Sequence, residues 1–147
     1  MKVLNKILGG LLIASLASNT PAAAKIKTVD EFLKEDKVMI YSSPVVNSTN
    51  STNWYANPYA VLSPTKRHLK PEVMMIYVSS EGYSDGFENL VQLNCKNPIE
   101  SHIVHDPLKD RSISFKESMA YPNNRSDKNF VNRLDRGAVE ALFNRYC

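Results

Sequence analysis

Near the C-terminus, Ala138, Val139, Leu142, Phe143 and Tyr146 recur at the spacing of one helix face, while Glu140 and Arg145 fall on the other side. Asp135 precedes them as a candidate N-cap whose carboxylate also suits the positive end of the helix. Leu90, Gln92 and Asn94 alternate with Val91, Leu93 and Cys95, which predicts a strand with one mixed and one apolar face. Cys95 then points inward, toward the terminal helix. Glu72 to Val78 is a strongly apolar run and predicts a central strand, with Met74 and Met75 filling core. Val38 to Tyr41 is a short strand stopped by Ser42, Ser43 and Pro44. Trp54-Tyr55 and Tyr59 to Leu62 read as two extended pieces separated by a turn at Asn57-Pro58.

Polar and turn-forming residues punctuate these runs. Thr28-Val-Asp-Glu31 is a capping-box pattern, so a turn or two of helix is expected between Lys25 and Glu35, with a leading strand as the alternative. Asn47 to Asn53 has no apolar side chain and predicts a solvated loop. Its two Asn-Ser-Thr triplets serve as turn formers or as glycosylation sequons. Ser79 to Gly86 turns the chain, so that Phe87 to Cys95 returns antiparallel to the central strand. His102 to His105 and Ser112 to Phe115 are two more short strands around Asp106-Pro107, and Tyr121 to Asn129 is polar and turn-rich. Short strands at hairpin spacing with one closing helix predict an α+β fold, an antiparallel β-sheet with the C-terminal helix packed on one face.

The first 24 residues stand apart. Lys2 and Lys6, the apolar run Ile7 to Ala17, and Ala22 and Ala24 near the end form a secretory signal peptide cut before Lys25. The apolar run is too short to span a bilayer, and no later segment is apolar enough, so no stable membrane insertion is expected. Removing 24 of the 147 residues leaves a single domain of 123, residues 25–147. Taking Lys2 and Lys6 from 18 Lys and Arg leaves 16 against 15 acidic residues. A nearly neutral domain does not attract nucleic acid. No cysteine lies at the cleavage junction, so no lipid-modified N-terminus is available there. The two cysteines of the chain, Cys95 and Cys147, are read as one disulfide tying a strand to the C-terminus, in keeping with an oxidising compartment.

Catalytic and metal chemistry find little support. His102 and His105, with Asp106 and Asp110, have metal-ligand composition, but strand positions three apart face opposite sides of a sheet. No serine sits in a Gly-x-Ser-x-Gly elbow, the cysteines are committed to each other, and no glycine-rich phosphate loop is present. The expectation is a non-enzyme without metal or cofactor. Lys66, Arg67, His68 and Lys70 form the most basic run, flanked by Trp54, Tyr55 and Tyr59. It is either a contact patch for an acidic partner or a charged loop with the aromatics in the core.

Leu93-Asn-Cys95, the run from Gly137-Ala-Val-Glu-Ala-Leu142 to Tyr146-Cys147, and more loosely Tyr55 to Leu62 resemble the surface-adhesin protein E family of small exported bacterial proteins. The resemblance covers most of Lys37 to Cys147. It implies an antiparallel sheet with the C-terminal helix on it, a cysteine bridge, no catalysis, and adhesion to host matrix and serum proteins. Two functions are therefore expected as alternatives. One is an exported binding module engaging host or cell-envelope proteins; the other is a periplasmic accessory or inhibitor protein acting on an envelope component. A homodimer is a further partner state in keeping with either.

Overall fold

The computed structural model describes residues 25–45, 47–83, 86–106, 111–120 and 133–147. The expected signal peptide, the polar stretch Tyr121 to Asn129 and Asp110 lie outside these residues. The elements in chain order are α1 (Val29–Leu33), β1 (Val38–Pro44), β2 (Ser51–Ser63), β3 (Val73–Gly82) and β4 (Glu88–Asn94). A 3-10 turn (Pro98–Glu100), β5 (His102–Asp106), β6 (Arg111–Ser114), α2 (Phe115–Ala120) and α3 (Arg136–Tyr146) follow. The strands form one six-stranded antiparallel sheet in sequence order, and the fold is α+β as expected.

Period-2 alternation sorts β3 onto two faces. Met74, Ile76, Val78 and Ser80 are buried, whereas Val73, Met75, Tyr77 and Ser79 are half-buried. The buried row joins Val91 and Leu93 of β4, Ile103 of β5 and Ile113 of β6. Ala138, Leu142 and Tyr146 of α3 and Phe32 of α1 complete the same core. Burial of these side chains is the main stabilising term. Met75 therefore faces away from the core, unlike its neighbour Met74, because a strand cannot direct adjacent residues to one side.

Both predicted helix starts are capped. Thr28 Oγ1 accepts from Glu31 N–H at 3.2 Å while the Glu31 carboxylate accepts from Thr28 N–H at 2.9 Å. Asp135 accepts from Gly137 N–H at 2.7 Å, and Ser43 Oγ donates to its other oxygen at 3.2 Å, fixing the start of α3 against β1. Gly137 makes room there: a Cβ would drive into the ring of Tyr41, which would have to move. Gly82 ends β3 at φ +106°, with Ser51 O only 2.5 Å from where a Cβ would sit. Cys95 and Cys147 form the expected disulfide, Cα atoms 5.3 Å apart, and so tie the end of α3 to the residue after β4.

Several boundaries differ from the sequence reading. β1 runs on through Ser42 and Ser43 to Pro44, and β2 begins at Ser51 inside the expected loop, with Thr52 buried. β2 also passes straight through Asn57-Pro58, where a turn is expected. β1 pairs only as far as Ala56, so Pro58 lies beyond the last residue that β1 contacts, and a register shift follows between Pro58 and Ala60. Pro58 pairs with Ile76 of β3 alone, and a proline is tolerated where one side of a strand has no partner and a bulge follows. Phe115 opens α2 instead of closing a strand, because Ser114 Oγ accepts from Glu117 N–H at 3.1 Å and caps a helix. Arg145 is not on an open helix face; its guanidinium folds onto the Glu35 carboxylate, and both side chains are largely buried.

Candidate binding surface

The sequence-derived basic run lies in the connection from β2 to β3, and Lys66, Arg67, His68 and Lys70 are all exposed. The loop is nonetheless built into the fold. Arg67 O accepts from Asp30 N–H at 3.2 Å and Leu69 O from Val29 N–H at 2.8 Å, so loop carbonyls satisfy the free donors at the start of α1. Arg67 Nη1 pairs with Asp30 at 2.9 Å in an exposed ion pair. Lys70 Nζ donates to the backbone oxygen of Cys147, beside the disulfide. Lys66 and His68 project from this clip as exposed side chains. The flanking aromatics separate: Trp54 is in the core, its ring centroid 5.4 Å from that of Phe87 and the two planes tilted by 54°, while Tyr59 is 67% exposed. Trp54 therefore belongs to the scaffold and not to a contact surface.

A second surface was not singled out from sequence. The face of the sheet opposite the core brings Val73, Met75 and Tyr77 of β3 beside Leu90 and Gln92 of β4, Tyr77 opposite Leu90 and Met75 opposite Gln92. All five are half-buried. Met39, opposite Tyr55 on β1, is 54% exposed at the margin of this face. Among the described residues no helix packs on this face; an antiparallel sheet covered on one side normally turns polar residues to water, so an apolar strip at the centre of this open face is informative.

One end of that face forms a groove of about 450 Å³ between β2, β3 and the start of β4. The Lys37 ammonium sits 4.6 Å from the Tyr55 ring centroid and 2.8 Å from Glu81 Oε1. Hydrogen bonding to Glu81 holds the Lys37 pKa above its usual value. Across the groove the Tyr77 hydroxyl donates to Glu88, and that bond raises the Tyr77 pKa. Of this lining only Tyr77 falls in the apolar run that predicts a strand; Ser79 and Glu81 belong to the stretch expected to turn the chain, and β3 instead runs on through them to Gly82.

His102 and His105 occupy one strand, as expected, and His102 Nδ1 lies 2.7 Å from Glu100 O. Among the described residues no group of three His, Cys, Asp or Glu could hold a metal ion. Also among them, no helix is long and apolar enough to cross a membrane. Searches of protein-family models, curated proteins and solved structures find no match to this chain.

Proposed function

We propose that this chain is an exported, non-enzymatic binding protein of adhesin type, which holds a host matrix or serum protein or a cell-envelope protein on its open sheet face. The observation that supports this reading most is the asymmetry of the sheet. Among the described residues, helices and core cover one face, while the other presents the strip Val73, Met75, Tyr77 and Leu90 running from one side of a charged groove, with exposed Met39 bordering that groove on its other side. Half-buried aromatics and methionines ringed by polar side chains are the composition of a contact surface. Lys66, exposed beside His68 at the end of the sheet where β2 and β3 connect, adds positive charge for the approach of an acidic partner. A disulfide at the C-terminus suits a protein working in an oxidising compartment.

The test is surface plasmon resonance of the purified protein against purified matrix and serum proteins and solubilised envelope proteins. Saturable binding to one of them, weakened by Lys66→Ala with Arg67→Ala and by Met75→Glu, is expected. The Arg67–Asp30 pair is exposed, so the double variant should fold normally. Absence of saturable binding to every partner class would refute the reading. Capture of an envelope component alone would assign the protein to the accessory role.

A further inference from the structure

We infer that the groove on the open face is a socket for an arginine side chain presented by the protein partner. This deepens the binding function proposed above and rests on it. The protein's own Lys37 reveals what the groove accepts: an ammonium lies over the Tyr55 ring and against the Glu81 carboxylate. Glu88 stands on the neighbouring strand, Ser79 of β3 being opposite it, and among the described residues it pairs with no cation. The groove thus sets two carboxylates against one lysine, with tyrosine rings from two adjacent strands as walls.

A guanidinium fits these groups better than an ammonium does. It is planar, stacks on aromatic rings and donates two parallel hydrogen bonds to a carboxylate. Lys37 competes weakly, because its side chain is 48% exposed and that of Glu81 55%, and ion pairs so open to water are worth little. Displacing Lys37 costs a partner little, and the freed lysine stays solvated. The apolar strip of Tyr77, Leu90 and Met75 continues from the groove, so the segment carrying the arginine has a surface to lie on.

The experiment titrates N-acetyl-arginine amide into the isotope-labelled protein and follows backbone amide shifts. N-acetyl-citrulline amide is the neutral control of the same shape. Saturable shifts are expected at Tyr55, Tyr77, Ser79 and Gly86, with a dissociation constant on the order of millimolar and citrulline at least about fivefold weaker. Lys37→Ala should bind about threefold or more tighter, since it empties the Tyr55 face, while Glu88→Gln and Tyr55→Ala bind weaker. A purely structural role for Lys37 would give no such gain. No saturation in either the wild type or Lys37→Ala, or equal binding of citrulline, would overturn the inference. A protein partner held by Glu88→Gln as tightly as by the wild type would also overturn it, and would leave the binding function standing. Arginine binding without any protein partner would refute that function and, with it, the partner-borne arginine.

Discussion

Replacing Cys147 by serine removes the covalent closure between β4 and the end of α3 and little else from the folded state. The terminal helix keeps its buried Ala138, Leu142 and Tyr146, the Cys147 N–H bond to Phe143 O spans 2.9 Å through backbone alone, and Lys70 still reaches the terminal oxygen. The cost therefore falls chiefly on the unfolded chain, which regains the freedom of a loop spanning 52 residues. Chain entropy puts this at about 4 kcal/mol. A domain of this size is stable by roughly 5–15 kcal/mol, so the change removes a large share. At an unfolding entropy near 2.1 cal/mol/K per residue, the melting temperature should fall by roughly 15 °C. Urea titrations followed by circular dichroism compare the wild type, the variant and dithiothreitol-treated wild type, and the last two should coincide. A loss under about 1 kcal/mol, or no difference between oxidised and reduced wild type, would refute the view that the bridge is a main support of the fold.

Gly137→Ala should cost about 1–3 kcal/mol by forcing the Tyr41 ring out of place. Adding Tyr41→Ala should recover part of that loss, and strictly additive denaturation midpoints would contradict the contact. Tyr146 is buried and, among the described residues, nothing meets hydrogen-bond geometry with its hydroxyl, although Glu35 and Arg145 lie near it, so Tyr146→Phe should change stability at pH 7 by less than about 1 kcal/mol, or raise it. Burial, reinforced by nearby Glu35, raises the Tyr146 pKa in the folded state, so the unfolded chain ionises first. The associated stability is complete below pH 10 and is lost above it, and Tyr146→Phe should flatten that alkaline loss in denaturant melts. Glu35→Ala strands the Arg145 guanidinium between α1 and α3 and should destabilise by about 1–3 kcal/mol; an unchanged midpoint would make the pair incidental.

Local signals transferred to the structure wherever they were redundant. The helix from Arg136 to Tyr146 had periodicity, a cap and a cationic last turn, and the strand to Cys95 had alternation together with a committed cysteine. Differences from the sequence reading arose where the deciding partner was remote in sequence or where two local signals competed. Asn57-Pro58 carries a genuine turn signature, and the strand persists through it because β3 pairs along nearly its whole length while β1 has already ended. Ser114 to Glu117 held a capping-box spacing that was legible, yet the apolar Ile113 and Phe115 masked it with strand alternation. The groove was hidden for another reason. Lys37 is 44 residues from Glu81, and nothing local announces that a lysine before β1 will cross to a glutamate on β3.

Hydroxyl-radical footprinting of the protein with and without its bound partner tests the open-face account most directly. The account predicts that oxidation of Met39, Met75 and Tyr77 falls on binding, while Met74 and Trp54, buried on the core side, stay unlabelled in both states. Unchanged oxidation of the open-face residues in a saturated complex would contradict it.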